Sequence, residues 1–341
     1  MAIIDAGDHS LTLAKKLGAY ALKAAVARLV AVNHANHYSL EGSGATALDL
    51  SRFGDIGLPD SISKGVEYTG EAAFSSTAVT LTPTRKTKAG TIDKDVYLRR
   101  VPGYTLADVK AAIDALDDVA TGIEDDDQSM LLIDRAFGIE IKQLVGSIKE
   151  GWEYDLVNLY ASISGSVGTT TANMTITNFE DALATIEGAS TLPHDDIIFH
   201  GAPRQIADLR ADLRGSNNTG TPFGENLSTI LNFRAEDERA RLMMGLKGHV
   251  MGVLCYQQGP EVVQTANAAA DVVGAMYLRG DGDPEVSGQG KPGAFSIVVG
   301  GPVAISAQYH GNAFGVRLVV DQDNISGERV DNWACKVVTD A

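Results

Sequence analysis

Residues 127–164 read DQSMLLIDRAFGIEIKQLVGSIKEGWEYDLVNLYASIS, and their apolar side chains recur at alternating spacings of three and four. The apolar positions are Met130, Ile133, Phe137, Ile141, Leu144, Ile148, Trp152, Leu156, Leu159 and Ile163. This spacing indicates one face of a helix, which would be about 55 Å long and longer than most globular helices. The sequence therefore predicts one helix that crosses a whole domain. Two helices broken near Gly151 are the alternative, because glycine weakens a helix by about 1 kcal/mol relative to alanine.

An acidic run, Glu124, Asp125, Asp126 and Asp127, leads directly into this stretch. Acidic side chains at a helix N-terminus interact favourably with the helix dipole, so N-terminal capping is the simplest interpretation. A Ca²⁺ loop is the alternative, but the ligand spacing and the turn glycine of an EF-hand are missing.

The segment from Ser39 to Gly103 is rich in glycine, serine and threonine and has no long apolar run. Short alternating stretches around 79–81 and 96–98 are typical of strands. The polar residues 82–95 between them contain Arg85, Lys86, Lys88 and Lys94. The sequence predicts a basic two-stranded hairpin with a glycine at its tip. Such a hairpin has too little apolar surface to be stable alone, so we expect it to lie against another part of the protein or another chain.

In the C-terminal half, helix and strand patterns follow one another, which is typical of an α/β structure. Residues 196–199 are predicted to form a buried strand, and Pro203 is suited to the first turn of the following helix. Thr177 and Glu180 resemble a capping box. Further strands are predicted at the positions 242–256, 295–309, 316–320 and 333–338.

The N-terminal residues from Ser10 to Asn33 predict an amphipathic helix. Asp5 and Asp8 stand where a secretory signal would carry basic residues, and the apolar stretch 17–35 contains charges that argue against a membrane span. His34 and His37 are three residues apart and are either half of a metal site or, more simply, two surface histidines.

The composition narrows the class of protein. The chain has 341 residues, with 28 Lys and Arg against 44 Asp and Glu, and a formal net charge of −16. This charge argues against nucleic-acid affinity over the whole surface. The two cysteines, Cys255 and Cys335, are too few for a disulfide scaffold, so buried free thiols in a reducing compartment are expected. The sequence predicts no catalytic residues, no cofactor-binding residues and no metal ligands.

The order of these elements, and the local sequence at three places, resemble the major capsid protein of tailed bacteriophages. That fold is shared with encapsulins and the herpesvirus capsid floor. The three places are residues 152–168, residues 196–203 (DIIFHGAP) with Gln205 and Leu209 after them, and residues 309–321. These similarities lie in the general residue pattern, since no invariant sequence motif defines the family.

The resemblance implies an α+β fold whose parts follow one another along the chain. They are an N-terminal arm (1–48), an extended β-hairpin loop (49–101), a peripheral domain with a long spine helix (102–174), an axial domain (175–300) and strands that return to the peripheral domain (301–341). The start at Met1, with no long scaffold domain before the arm, favours a separate scaffolding protein.

The resemblance also implies a function. The chain would be a structural subunit of an icosahedral virus shell, assembling with itself into hexamers and pentamers that enclose double-stranded DNA without sequence-specific binding. Scaffolding, portal and cement or decoration proteins are the implied partners. The implied location is the virion, with assembly in the host cytoplasm and no membrane association. An encapsulin-type nanocompartment shell and, less consistently, an acidic α/β enzyme are the alternatives.

A shell subunit needs extensive contacts with its neighbours. We expect the basic hairpin to lie across acidic surface of the adjacent subunit. The candidate contact residues are Arg85, Lys86, Lys88, Lys94, Arg99 and Arg100 on the basic side, and Glu124, Asp125, Asp126 and Asp127 on the acidic side. Because exposed ion pairs are screened by salt, assembly is predicted to be salt-sensitive.

Overall fold

The structure is a computed structural model. It describes residues 29–53, 76–105, 107–109, 111, 127–188, 196–216, 246–259, 263–266, 270–281, 291–310 and 315–340. The helices are α1 (Lys94–Arg100), α2 (Asp127–Asn158), α3 (Ile176–Glu187) and α4 (Pro203–Ser216). The strands are β1 (Asn36–Ser39), β2 (Leu48–Phe53), β3 (Ser76–Leu81), β4 (Thr84–Asp93), β5 (Ser166–Val167), β6 (Ile197–Gly201), β7 (Leu246–Val250), β8 (Val253–Gln257), β9 (Thr265–Ala266), β10 (Asp271–Leu278), β11 (Phe295–Val299), β12 (Ala304–His310), β13 (Gly315–Glu328) and β14 (Ala334–Asp340).

The predicted long helix is present as α2, which has 32 residues and continues into a 3₁₀ turn at Leu159–Ala161. The alternative of two helices broken near Gly151 is wrong. A Cβ at Gly146 or Gly151 would have nothing within 4 Å, so these glycines lie where the helix packs against no other part of the described chain. The buried apolar side chains of α2 supply the stabilisation that its glycines lack.

Two sheets account for most of the strands. The five-stranded sheet contains β1, β4, β11, β12 and β13. In it, β11 and β12 pair with successive parts of β13, while β4 pairs antiparallel with β13 from Gly315 opposite Asp93 to Asn324 opposite Thr84. The seven-stranded sheet has the order β5–β14–β10–β6–β8–β7, with β9 beside β10. Mixed pairing and helices packed between and beside the sheets confirm the predicted α+β class.

One helix serves two hydrophobic cores. Phe137, Ile141 and Val145, in the N-terminal and central turns of α2, are buried with β12, β13 and α1. Trp152 and Leu156 in the second half are buried with the seven-stranded sheet, α3 and α4. The long helix therefore contributes side chains to both hydrophobic cores and joins them.

The region 76–101 differs from the predicted hairpin. β3 pairs with β2, and the basic residues 84–93 form a full strand, β4, on the five-stranded sheet. Val96 and Leu98 lie in α1, so the prediction of a strand around 96–98 is wrong. Tyr97 and Val101, one helical turn apart, are both buried, and this spacing of four explains the helix.

The β2–β3 pair is held at one end by a small third core. Leu50 and Leu81 are buried there with Tyr38, Leu40 and Val298. Gly327 makes this approach possible, because a Cβ at that position would lie 2.3 Å from Cδ2 of Leu81. The pair is therefore fixed to the body of the protein at this end; residues 54–75 lie outside the described residues.

Several local predictions can be compared directly with the structure. The strand at 196–199 and the helix from Pro203 are confirmed as β6 and α4. The capping box at Thr177 is wrong, because the N-cap of α3 is Thr175, whose side chain accepts a hydrogen bond from the backbone N–H of Asn178. Cys255 and Cys335 are buried free thiols, as predicted.

The prediction of an N-terminal helix reaching Asn33 is wrong at its end. Residues 10–28 of that helix lie outside the described residues. Val32–His34 is a 3₁₀ turn, and His37 lies in β1. His34 is buried and His37 is half-buried, so the prediction of two surface histidines is also wrong.

Candidate assembly surface

The basic candidate residues lie on two consecutive elements. Arg85, Lys86 and Lys88 are on β4, while Lys94, Arg99 and Arg100 are on α1. Of the acidic candidates, Asp127 is the first residue of α2, and Glu124, Asp125 and Asp126 lie outside the described residues. The structure therefore places the basic residues along one continuous stretch, as a surface, and does not test their role between subunits.

Three of the basic side chains have acidic partners in the same chain. Nε of Arg85 is 3.7 Å from a carboxylate oxygen of Asp321 and 3.5 Å from one of Asp323. These pairs follow from the register, which places Arg85 opposite Asp323. Because Arg85 is 70% exposed, each pair contributes about 0–1 kcal/mol.

The other two intrachain pairs attach β4 and α1 to the long helix. Nζ of Lys86 is 2.9 Å from Asp155, and Nη1 of Arg100 donates to Glu140 at 2.6 Å and to the carbonyl oxygen of Ala136 at 3.2 Å. The hydrogen bond to Glu140 raises the pKa of Arg100. These side chains hold the two basic elements against α2. Lys86 and Arg100 were predicted from the sequence as candidates for contacts between subunits.

Lys88 and Arg99 differ from these three residues. Both are exposed, and no ion pair joins either of them to another described residue. Among the basic candidates whose side chains are described, Lys88 and Arg99 are available for an acidic partner.

A buried polar chain lies where the second half of α2 meets the seven-stranded sheet. The hydroxyl of Tyr160 is 2.7 Å from Nδ1 of His200 and donates to the hydroxyl of Tyr277 at 3.4 Å. Nε2 of His200 lies 4.0 Å from Oε1 of Glu153. Sequence reasoning missed all four residues, because they are far apart in the chain and each stands within an apolar pattern.

Burial determines the protonation of these four buried polar side chains. It lowers the pKa of His200 to about 3, with a further contribution from His34, and it raises the pKa of Glu153. Hydrogen bonds from backbone amides oppose the shift of Glu153. Burial also raises the pKa values of Tyr160 and Tyr277, so both phenols stay protonated. All four residues are enclosed in the core, so the arrangement is suited to stabilising the fold.

Other candidate groups are also accounted for by packing. In the described part of the chain, no three His, Cys, Asp or Glu side chains are grouped to hold a metal ion. The ring of His34 lies against that of Tyr256, with centroids 4.4 Å apart.

Among the described residues, no helix is long and apolar enough to span a membrane.

No protein family and no curated protein matches the sequence. Solved structures do match. The head structure of Helicobacter pylori bacteriophage KHP40 has a TM-score of 0.56 at 7% identity, with 90% of this chain and 87% of that chain covered. The capsid of Ralstonia phage GP4 has a TM-score of 0.53 at 8% identity, covering 90% and 87%. The capsid of cyanophage P-SCSP1u has a TM-score of 0.51 at 11% identity, covering 91% and 88%.

These comparisons establish the fold. The likeness covers about nine tenths of each chain. The chain therefore has the major capsid fold of tailed phages, as the resemblance in sequence texture implied.

Proposed function

We propose that the chain is a structural subunit of an icosahedral shell, assembling with itself into hexamers and pentamers that enclose double-stranded DNA. The observation that carries this proposal is the fold, which the chain shares with tailed-phage capsids over nearly its whole length. The acidic net charge supports it, because an acidic wall repels phosphates and leaves packaged DNA free to move.

The partners and the division into parts belong to the same proposal. A separate scaffolding protein, a portal and a cement or decoration protein would act with the subunit, in the host cytoplasm during assembly and in the virion afterwards. The boundaries of arm, extended loop, peripheral domain and axial domain stay as predicted from the sequence. The neighbours in the comparison are structural capsid proteins, which favours a non-enzymatic role.

Negative-stain electron microscopy with mass photometry tests the function directly. The protein is expressed alone and together with the products of neighbouring genes. Closed shells or hexamer-sized capsomers are expected, and dependence on a co-expressed scaffold favours a phage shell over an encapsulin-type compartment. A monodisperse monomer or dimer under every salt condition would contradict the proposal.

The two exposed basic residues give a sharper test of the assembly surface. Changing Lys88→Glu and Arg99→Glu together is expected to lower shell yield several-fold, because repulsion replaces attraction at each of many identical contacts. Folding should be unaffected, within about 0.5 kcal/mol, since neither side chain is buried. Shell yield is measured by sedimentation at low and high salt, and wild-type yield is expected to fall as salt rises.

The control is Arg135→Glu, which reverses one charge at an exposed position of α2, half the change in net charge that the double variant makes. This variant should assemble like the wild type. Equal yields for the double variant and the wild type would rule out these two side chains as contacts.

The triple reversal of Arg85, Lys86 and Lys88 is less selective, because it also breaks the intrachain pairs with Asp321, Asp323 and Asp155. Unchanged shell yield and stability in that variant would still contradict a contact role for the basic strand.

A further inference from the structure

The first described residues, 29–39, contain a well-buried run. We call residues 29–39 the root segment. Leu29, Val30, Ala31 and Val32 are each at most 6% exposed and belong to the larger core. The root segment is held by contacts with distant parts of the chain, and these contacts indicate what it does.

The first contact is with a buried carboxylate on the long helix. Glu153 is 2% exposed, and its two oxygens accept hydrogen bonds from the backbone N–H groups of Ala31 (2.8 Å) and Val32 (3.0 Å). The two sites are more than 120 residues apart in sequence. Hydrogen bonds to a charged acceptor are among the strongest in proteins, and burying a carboxylate is costly unless such bonds compensate.

The second contact uses the side chain of Asn36, which is fully buried. Its Nδ2 donates to the carbonyl oxygens of Lys291 (2.8 Å) and Asp281 (3.3 Å), and its Oδ1 accepts from the N–H of Gly293 (2.7 Å). Both side-chain ends are therefore bonded to backbone on the opposite side of the core.

Gly280 makes room for this side chain, and Gly293 makes room for the backbone of Gly280. A Cβ at Gly280 would lie 2.8 Å from Cγ of Asn36, and a Cβ at Gly293 would lie 2.3 Å from the backbone nitrogen of Gly280. The backbone N–H of Gly280 also donates to the carbonyl oxygen of His34 at 2.8 Å. The backbone at Gly280 therefore packs closely against Asn36.

The third contact is strand pairing. β1 runs parallel to β11, from Asn36 opposite Ser296 to Ser39 opposite Val299. Beyond it, Nη1 of Arg329 donates to the hydroxyl of Tyr38 at 3.1 Å. Three separate parts of the described chain therefore hold eleven consecutive residues: α2, the backbone at 280–281 and 291–293, and β11.

We propose that Glu153 and Asn36 form a fixed anchor for the root segment, so that residues 29–39 keep their place in both free and assembled subunits. Glu153 and Asn36 are positioning residues: they hold the root segment against α2 and against the backbone of Asp281, Lys291 and Gly293. Only the comparison between free and assembled protein rests on the proposed function.

Amide hydrogen exchange of the full-length subunit tests the anchor. In Glu153→Gln, one of the two acceptors becomes an NH₂ group that faces a backbone N–H, and in Asn36→Ala all three bonds to backbone are lost. Exchange at Ala31, Val32 and the β1 amides is expected to accelerate by about tenfold or more in each variant. Exchange in β10 and β14 should stay as in the wild type.

The matched control is Glu180→Gln, an exposed carboxylate on α3, which should leave exchange in the root segment unchanged. Two results would overturn the anchor: unchanged protection at Ala31 and Val32 in both variants, or faster exchange throughout the body, which would mean a general loss of stability. Glu153→Gln preserves the shape of the side chain, so the test survives a failure of Asn36→Ala to fold.

A second measurement compares the wild-type protein before and after assembly. Protection of residues 29–39 is expected to be equal in free subunits and in shells, whereas an anchor that releases on assembly would lose protection there. If the wild type forms no shells, the proposed function fails, but the exchange results on the free variants still decide whether the anchor exists.

Discussion

Replacing Phe137 by alanine is expected to lower the free energy of unfolding by about 3–5 kcal/mol. Phe137 is 1% exposed and stands in the core that joins α2 to the five-stranded sheet. Its ring lies against Tyr97 of α1, with centroids 5.2 Å apart. The truncation therefore removes an aromatic contact between two helices and leaves a cavity beneath β12 and β13. Domains are stable by only about 5–15 kcal/mol, so this loss is large.

The same helix supplies the control. Ile139 is 57% exposed, so Ile139→Ala is expected to change stability by no more than about 0.5 kcal/mol. Denaturant unfolding of unassembled subunits at equal protein concentration measures both variants, because assembly would itself add stability. Equal losses at 137 and 139 would mean that the two faces of α2 are not distinguished as described.

The contrast between these two positions also shows why α2 was predictable. Burial recurs at Phe137, Ile141, Val145 and Ile148, which is the period that the sequence displays. A helix shared by two cores keeps one apolar stripe along its whole length, so local sequence carries the information. Gly151 suggested a break, but glycine costs little beside the burial of Trp152 and Leu156.

The basic segment shows the limit of the same reasoning. In β4 the only buried side chain is Ile92, so the alternation that marks a strand is absent from its sequence. Its strand character comes from pairing with β13, more than 200 residues later. The pairing leaves no periodic signal in the polar segment, so residues 82–95 were predicted to form part of a two-stranded hairpin and not a strand of the five-stranded sheet.

The anchor could not be predicted for a related reason. Asn36 and Glu153 are ordinary polar residues in sequence, and only the fold brings them within hydrogen-bonding distance of these backbone groups. His34 and His37 appeared to be surface residues because nothing nearby indicates that β11 and Tyr256 cover them. Buried polar residues that satisfy distant backbone groups are the part of a fold that patterns of hydrophobicity describe least well.

The histidine of the buried polar chain is expected to make stability depend on pH. In the unfolded chain a histidine gains its proton near pH 6.5, whereas burial lowers the pKa of His200 to about 3 in the folded protein. The stability that neutral His200 contributes is therefore complete above pH 6.5 and is lost as pH falls through the interval down to about 3. His34, whose pKa is lowered to about 4 by burial and by Arg279, acts in the same sense.

The variant His200→Asn removes this titration while keeping a polar atom near the hydroxyl of Tyr160. It should be less stable than the wild type at pH 7, but the difference between the two proteins should shrink by about 2–3 kcal/mol between pH 7 and pH 4.5, at about 1.4 kcal/mol per unit below pH 6.5. Urea unfolding of unassembled subunits at pH 7, 6, 5 and 4.5 measures this difference.

The comparison between variant and wild type is needed because another group opposes the histidines. Burial and the neighbouring Asp331 raise the pKa of Glu328 to about 7, so its folded form binds a proton more readily than its unfolded form. Glu328 therefore adds stability as pH falls, and Glu328→Gln is expected to steepen the loss on acidification. A stability difference between His200→Asn and the wild type that stays constant from pH 7 to pH 4.5 would show that His200 does not remain neutral in the folded protein.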